Sequence, residues 1–345
     1  MTFAAITPHA YRSFDIRVIG KNMGDGFILR AVERFLGDIP ENMRVPARKQ
    51  PSAASLEKLK SASYVVMAGA NQLHDNFSPW PGLSADDIRN GSCRFVPMGV
   101  GISGKPGGGL HLTSEAKQRL LAMHESIAFS SWRCPRTVEA ISRELPVLRD
   151  QLLMTCCPVV LDTALLEGHP FRKLQNTIAA TITDRDEFWD RESAMLKRIA
   201  AVFPQSRKIL VLHQDFSILP ANIKNTPFIN VINSPVRKIR SYAKSLGFEI
   251  KVLRSAEDGI ALYRDEVDLH FGSRLHAHLL MLSLAKWSFL TYVDERMSGI
   301  SEYLGFPLCQ PNEIDKHLHF DFEIVRRQAR EAHTTMQKFT TSLKH

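Results

Sequence analysis

Three side chains in one short segment could bind an anion and move a proton: those of Ser273, Arg274 and His276. They follow an apolar run that ends at Gly272, and a second apolar run comes soon after them. This pattern predicts a strand, a glycine turn and the first turn of a helix, whose free N–H groups and dipole attract anions. There Arg274 can bind a carboxylate or phosphate, Ser273 can cap the helix, and His276 can exchange a proton near neutral pH.

The same segment also has a purely structural interpretation. His276 would then be a histidine satisfied within the core, and Arg274 would pair with a carboxylate such as Asp268. We favour the anion site, because strand, glycine and helix start follow one another in the order that anion sites use. Downstream, Asp294 begins another predicted helix on or near which Glu302 lies. Either carboxylate could approach a ligand or serve only as a cap or a surface charge.

The elements that must position these residues alternate between short apolar runs and amphipathic runs, which predicts an α/β fold. Predicted strands cover residues 15–19, 63–69, 94–98, 126–130, 152–161, 177–183, 208–213, 228–232, 250–253, 267–271 and 288–293. Predicted helices cover residues 27–36, 52–61, 113–124, 135–144, 186–202, 236–246, 279–284, 294–305 and 321–343.

Two α/β units of similar size, joined by a short linker, indicate two Rossmann-like domains that face a cleft. We predict a first domain over residues 1–166, a linker over 167–175 and a second domain over 176–317. Residues 318–345 predict a C-terminal helix that packs back on the first domain. Ligands of open α/β sheets bind beyond the carboxyl ends of the strands, which is where the candidate residues fall.

Further candidates follow the predicted strands of the first domain. Asn22, Gly24 and Asp25 lie between a strand and a helix, where turn formation and an N-cap aspartate are the favoured explanation from these residues alone. Arg133 ends a strand just before a helix. Such an arginine is usually a surface charge, although its position at a carboxyl end suits contact with a substrate.

Gly99, Gly101 and Gly104 have the spacing of a dinucleotide-binding turn and follow a predicted strand. The next helix begins only near Thr113, so the local context of a dinucleotide site is missing. Two interpretations stay open: a glycine loop at the cleft with Lys105 near an anion, and a plain surface loop.

Composition narrows the class of protein. The chain has 345 residues, of which 44% are hydrophobic and 23% are charged, as in ordinary soluble globular proteins. No apolar run approaches the roughly 20 residues that span a bilayer. The N-terminal segment lacks the charged start and long apolar core of a signal peptide, so we expect a cytoplasmic protein.

Cysteine and histidine usage predicts neither a disulfide framework nor a metal site. The five cysteines are an odd number without a C-x-x-C motif, and adjacent Cys156 and Cys157 suggest small apolar filler in a buried strand. The pair His276 and His278 points to two faces of a helix, and no H-E-x-x-H motif is present.

The net charge of +8 fits nucleic acid, anionic lipid or small anionic substrates. The basic residues are dispersed and no aromatic-basic RNA motif is visible, so we do not expect a nucleic-acid partner. A mildly basic solvated surface is the simplest explanation, and small-anion binding is the functional one that we favour.

At these residues the chain resembles the polysaccharide pyruvyl transferase family. The resemblance begins with N-x-G-D at Asn22–Asp25 and continues through the strand end at Gly69, the strand end at Gly101 and the strand–Arg–helix unit at Arg133. It is most specific in the block G-S-R-L-H-A at Gly272–Ala277, followed by the strand to Asp294. It covers about residues 18–306.

The resemblance implies a fold like that of GT-B glycosyltransferases, with the first domain on the acceptor side and the second on the donor side. It implies that the pyruvyl unit of phosphoenolpyruvate is transferred as a ketal to two hydroxyls of a sugar, with release of phosphate and without a cofactor. The implied catalytic residues are His276 as acid, Arg274, and Asp25 as base. The implied substrate-binding residues are Asn22, Gly24, Gly69, Asn71, Gly101, Arg133, Ser273, Leu275 and Asp294.

The implied acceptor is a sugar of a polysaccharide or of a lipid-linked glycan, and the basic charge allows contact with the inner face of a membrane. Two alternatives stay open. One is a nucleotide-sugar glycosyltransferase of the same architecture, in which Asp294 and Glu302 would act as paired carboxylates. The other is a non-catalytic relative that binds a glycan or an anion.

Overall fold

The computed structural model describes residues 1–8, 22–47, 49–103, 109–183, 186–213 and 235–344. The strands predicted at residues 15–19 and 228–232, and the predicted loop position of Lys105, lie outside these ranges.

The first half of the chain forms a parallel sheet with the strand order β2-β1-β3-β4. Its strands are β1 (Phe3–Thr7), β2 (Arg44–Pro46), β3 (Tyr64–Ala68) and β4 (Phe95–Met98). Two further parallel strands, β5 (Ser130–Trp132) and β6 (Leu152–Met154), continue beyond β4 through a bridge between Val100 and Trp132. β3 is buried along its whole length, which explains its unbroken apolar sequence.

The second half forms a six-stranded parallel sheet with the order β9-β8-β7-β10-β11-β12. This is the 3-2-1-4-5-6 order of a Rossmann fold. The strands are β7 (Thr177–Thr181), β8 (Arg207–Leu212), β9 (Phe248–Val252), β10 (Leu269–Gly272), β11 (Trp287–Thr291) and β12 (Leu308–Cys309).

The α-helices in the first half are α1 (Met23–Leu36), α2 (Ala53–Lys60), α3 (Ala85–Asn90), α4 (Ser114–His124), α5 (Pro135–Glu144) and α6 (Thr163–Leu166). Those in the second half are α7 (Trp189–Val202), α8 (Pro235–Ser245), α9 (Ala256–Ala261), α10 (Leu275–Ser283), α11 (Glu295–Leu304) and α12 (Glu323–Ser342). Side-chain caps fix several of these starts, as when Thr113 Oγ1 accepts the Ala116 N–H at the start of α4.

One predicted strand is shorter than expected. Residues 152–161 were expected to be extended, but β6 ends at Met154 and Cys156 has a φ of 64°. A short 3₁₀ turn, Pro158–Val160, follows, because proline cannot donate to a strand ladder. Cys156 and Cys157 are buried, as expected, but they lie between β6 and this turn and not in a strand.

Helix α1 joins the two halves. The Met23 N–H donates to the His213 carbonyl oxygen, 3.0 Å away, and the ring of Phe27 lies edge-on to that of Tyr263 at 6.2 Å. The backbone of Gly259 lies so close to Phe27 that an added Cβ would be 2.7 Å from its ring. These contacts hold the N-terminus of α1 against the carboxyl ends of the second sheet.

The C-terminal helix α12 returns to the first half, as predicted. It packs on β5, β6 and α6 with a buried face that includes Val325, Ala329 and Phe339. Arg326 Nε donates to the Leu165 carbonyl oxygen at 2.9 Å, which fixes the helix beside α6. All strands of the first sheet lie within residues 1–166 and all of the second within 176–317, whereas the boundaries themselves stay a prediction.

Among the described residues, no helix is both long and apolar enough to cross a bilayer.

Candidate functional site

The candidate site lies where the second sheet reverses its direction of growth. β7 and β10 are neighbours, and the strands that follow each of them in sequence lie on opposite sides. The connections after β7 and β10 therefore leave the sheet in opposite directions and open a crevice at their carboxyl ends. Thr183 follows β7 at this point, and Ser273 and Arg274 follow β10.

Gly272 is required for the approach of β10 to β7. A Cβ at this position would lie 2.2 Å from Thr181 Oγ1 and 2.3 Å from the Thr181 carbonyl oxygen. Because the chains are this close, the Ser273 N–H donates to the Thr181 carbonyl oxygen at 3.1 Å. The Arg274 N–H donates to Thr181 Oγ1 at 3.3 Å.

Ser273 does not cap α10, contrary to our prediction. The residue at the N-cap is Arg274, which makes no side-chain capping bond. Ser273 Oγ donates instead to Glu192 Oε1 at 2.6 Å, and a hydrogen bond to a carboxylate is stronger than one between neutral groups. This leaves the first N–H groups of α10 without a side-chain cap at the crevice.

Glu192 ties the two strand ends together. Its Oε1 also accepts the Thr183 N–H at 2.5 Å, and its side chain is 1% exposed. Burial raises the pKa of this carboxyl, and the hydrogen bonds from Ser273 and Thr183 act in the opposite direction. Sequence analysis did not identify Glu192, because its spacing on α7 is that of an ordinary core position.

Replacing Glu192 with alanine is expected to lower the free energy of unfolding by about 1–3 kcal/mol, because the Ser273 hydroxyl and the Thr183 N–H would lose their buried acceptor. Urea denaturation measures the change, and Lys197→Ala, at an exposed position of the same helix, is the matched control. Equal midpoints for the two variants would contradict this role for Glu192.

A cavity of about 80 Å³ occupies the crevice. That volume holds several water molecules or one small anion. Its lining comes from both halves of the chain: Asn22, Gly24, Thr183, His213, Ser273, Arg274, Leu275, His276, Val293, Arg296 and Met297.

The structure brings together half of the residues predicted for the site. Those that line the cavity are Asn22, Gly24, Ser273, Arg274, Leu275 and His276. Those that do not are Asp25, Gly69, Asn71, Gly101, Arg133 and Asp294. Thr183, His213 and Arg296 line the cavity without having been predicted.

The start of α1 forms one wall. Asn22 is its N-cap and accepts the Gly24 N–H at 3.1 Å, so the expected N-cap aspartate is wrong and Asp25 lies in the first turn. Gly24 packs on His276, since a Cβ there would be 3.1 Å from the imidazole Nδ1. Two helix N-termini, one from each half, therefore meet at the cavity.

Gly69 and Gly101 have packing roles in the first half. A Cβ at Gly69 would lie 2.4 Å from Ile28 of α1, and one at Gly101 would lie 2.2 Å from the guanidinium of Arg133. The absence of a side chain at Gly69 lets α1 approach the sheet, and its absence at Gly101 makes room for the guanidinium of Arg133. Asn71 follows β3 and is half-buried.

Arg133 is a cation that the fold buries. It is 1% exposed, and its Nε and Nη1 have no hydrogen-bond partner among the described residues. Burial lowers its pKa, with smaller effects from nearby groups that include Arg296 and Asp294. A buried charge of this kind is costly unless an anion compensates it.

Asp294 caps α11 and binds Arg296, whose Nε lies 2.6 Å from Asp294 Oδ1. Arg296 in turn reaches the cavity lining. Glu302 lies on the outer side of the same helix, where its 57% exposed side chain pairs with Arg136. The two carboxylates therefore do not converge on one ligand position.

Arg274 is not paired with Asp268. Its Nε donates to the Ile182 carbonyl oxygen at 2.7 Å, whereas Asp268 accepts the N–H groups of Asn176 and Thr177 at 3.1 and 3.0 Å. Asp268 is therefore not the partner of Arg274. Arg274 remains beside the cavity.

His276 is held in its neutral form. Burial, and then the positive charges of Arg133, Arg296 and Arg274, lower its pKa to about 3. Its Nε2 is buried without a hydrogen-bond partner among the described residues. A bound dianion would offset the arginines and raise this pKa again, so proton transfer by His276 becomes coupled to anion binding.

Three more histidines are buried around the site. His270 and His278 both contact Ser288 Oγ through Nδ1, at 2.7 and 2.8 Å, and His213 contacts Tyr263. Burial is the main cause that lowers the pKa of each of them, for His270 to about 3. Within the described ranges, no cluster of three or more metal-ligating side chains is found.

These histidines predict acid sensitivity. Below the ordinary pKa of 6.5, the unfolded chain takes up protons that the folded chain does not. The free energy of unfolding should therefore fall as the pH drops from 6.5 towards 3, by up to about 1.4 kcal/mol per pH unit for each histidine. Urea midpoints measured on both sides of pH 6.5 test this, and a midpoint that rises on acidification would refute it.

No family model matches the chain, and no curated protein matches it in sequence. Solved structures do match over nearly its whole length. A predicted UDP-N-acetylglucosamine 2-epimerase from Listeria monocytogenes has a TM-score of 0.50 at 11% identity, covering 96% of this chain and 91% of its own. The likeness confirms the GT-B-like fold of two Rossmann-like domains.

Two further structures carry bound UDP. S. aureus MnaA with UDP has a TM-score of 0.46 at 12% identity, covering 96% of this chain and 90% of its own. Anabaena HepE with UDP and glucose has a TM-score of 0.43 at 9% identity, covering 99% and 97%.

Proposed function

We propose that the chain is a glycan-modifying transferase that uses phosphoenolpyruvate and forms a pyruvyl ketal, as polysaccharide pyruvyl transferases do. The observation that carries the proposal is the cavity at the crossover of the second sheet. Arg274, Arg296 and His276 line it, and the buried cation of Arg133 lies near enough to lower the pKa of His276. A small donor with a carboxylate and a phosphate suits this site, because each anionic group can accept two hydrogen bonds from one guanidinium.

The chemistry assigns a role to each group. His276, charged once the dianion is bound, would give its proton to the methylene carbon of phosphoenolpyruvate and leave an oxocarbenium-like centre. Two sugar hydroxyls attack that centre in turn, and the bond to the phosphate oxygen breaks. Two protons leave the hydroxyls. One restores the proton that His276 gave to the methylene carbon, and the other ends on the released phosphate. Asp25, in the first turn of α1, stays our predicted base for the first hydroxyl.

The acceptor is proposed only as a class. The resemblance favours a sugar of a polysaccharide or lipid-linked glycan, and the net charge of +8 supports an approach to the anionic inner face of a membrane.

A nucleotide-sugar reaction is the second candidate, because the Listeria structure named above is described as a UDP-N-acetylglucosamine 2-epimerase. Two observations favour phosphoenolpyruvate over it. The cavity lining offers two arginines and a histidine to a small anion, and Asp294 and Glu302 are each paired with an arginine. A non-catalytic anion-binding relative would share the cavity and lack turnover.

Thermal unfolding with added ligands separates these candidates. Phosphoenolpyruvate at about 100 times its Kd should stabilise the fold by about 2.7 kcal/mol, whereas UDP should have little effect. Phosphate release from phosphoenolpyruvate with a panel of glycans then tests the reaction. Protection by UDP but not by phosphoenolpyruvate would favour the second candidate, and protection without release on any glycan would favour the non-catalytic relative.

A further inference from the structure

A second imidazole, His213, faces the same cavity. It follows β8 at the carboxyl edge of the sheet and is 1% exposed. Its Nδ1 is buried and has no hydrogen-bond partner among the described residues, whereas its Nε2 lies 2.8 Å from Tyr263 Oη. Sequence analysis did not select it, because a histidine after a strand has no distinguishing neighbours.

The contact with Tyr263 determines which ring nitrogen carries the proton. Burial raises the pKa of Tyr263, so the residue keeps its phenolic hydrogen, and Nε2 of His213 is the acceptor within reach. Burial, followed by Arg274, His270 and His276, lowers the pKa of His213, so the ring is neutral and has one proton. If Nε2 accepts from Tyr263, that proton is on Nδ1; the other tautomer would leave a buried phenol hydrogen unpaired.

We propose that His213 is a neutral hydrogen-bond donor to the anion in the cavity, and that Tyr263 is the positioning residue that keeps its Nδ1 protonated. This inference rests on the proposed anion site, but it does not depend on pyruvyl transfer. A neutral donor gives the anion a directed hydrogen bond in addition to the attraction of the arginines. Because it carries no charge, it does not lower the pKa of His276 further.

The placement of His213 supports a binding role. Its carbonyl oxygen accepts the Met23 N–H at 3.0 Å, and its ring lies edge-on to Phe27 at 5.6 Å. The backbone and the ring are thus fixed by α1 from the first half, while Nε2 is fixed by the second half. The donor direction is therefore preset before an anion enters.

Two-bond ¹H–¹⁵N correlation spectra of histidine-labelled protein identify the tautomer directly, with His213→Asn used to assign the signal. We expect the Nδ1–H form, a shift of this signal on titration with inorganic phosphate, and a change of tautomer population in Tyr263→Phe. An Nε2–H form in the unaltered protein, or an Nδ1–H signal that does not respond to saturating phosphate, would overturn the inference. So would the absence of any phosphate binding.

Affinity provides the second measurement. His213→Leu should weaken phosphate binding about tenfold to a hundredfold through loss of a hydrogen bond to a charged group. His213→Asn should restore much of the affinity, because its amide N–H can occupy the position of Nδ1–H. Equal affinity for His213→Leu and unaltered protein would overturn the role. If the His213 signal and the affinities respond to phosphate as expected but no ketal forms, this inference stays in place and the proposed function is removed.

Discussion

Replacing His276 with glutamine should lower the rate of phosphate release from phosphoenolpyruvate by about 10²–10⁴-fold, because the amide can donate a hydrogen bond but cannot transfer a proton. Phosphate binding should largely persist, since Arg274 and Arg296 remain. The control is His278→Gln on the same helix, whose imidazole contacts Ser288 and Phe306 and lies outside the cavity lining. It should change stability more than rate.

The same variant tests how His276 obtains its proton. At neutral pH the free protein holds this imidazole neutral, because burial and three arginines lower its pKa to about 3. Phosphate binding should therefore be accompanied by proton uptake, visible as a buffer-dependent enthalpy in titration calorimetry, and the uptake should shrink in His276→Gln. Identical enthalpies in buffers of different ionisation heat would contradict coupling between the anion and the imidazole.

Arg133→Met should raise stability and weaken anion binding at the same time. The native guanidinium is buried, and within the described part of the chain its Nε and Nη1 have no partners. An apolar side chain of similar length should therefore increase the free energy of unfolding by about 1–4 kcal/mol. The unaltered protein should gain stability from phosphate or phosphoenolpyruvate, and the variant should gain less, because one of the positive charges near the cavity is gone. Opposite changes in stability and binding are typical of residues kept for function.

Thermal unfolding with and without ligand measures both effects. Arg136→Met is the matched control, since Arg136 is close to Arg133 in the sequence, is 44% exposed and pairs with Glu302. It should change the unfolding temperature little and leave the ligand-induced shift intact. A destabilised Arg133→Met that responds to phosphate as strongly as the unaltered protein would mean that the guanidinium serves the fold rather than an anion.

Local sequence signals predicted many elements of the fold well. Pro135 and the residues up to Glu144 form α5 as expected, and Thr113 and Asp294 cap the helices assigned to them. These signals work because proline at a helix start and a polar cap act within one turn of the chain. Strand β1, at Phe3–Thr7, was missed, because its alanines and isoleucine are apolar without a strand-specific period.

The site was less predictable than the fold. The block from Ser273 to His276 was found from its helix start, yet Ser273 binds Glu192 across the sheet rather than its own helix. Arg296 and His213 reach the cavity only because they follow β11 and β8, the two strands that flank the neighbours β10 and β7. Proximity of this kind depends on strand order, which a single sequence does not encode in its spacing.

The return of α12 to the first half has a consequence for motion. The chain passes between the halves twice, once between β6 and β7 and again between β12 and α12. Two bodies joined at two places open by rotation about the line through those joints, so separation of the halves would follow a single hinge axis. Because both halves line the cavity, rotation about such an axis would separate its walls, and the affinity would then fall with the fraction of molecules in the open state. Substitutions along α12 could therefore alter affinity without touching the bound anion.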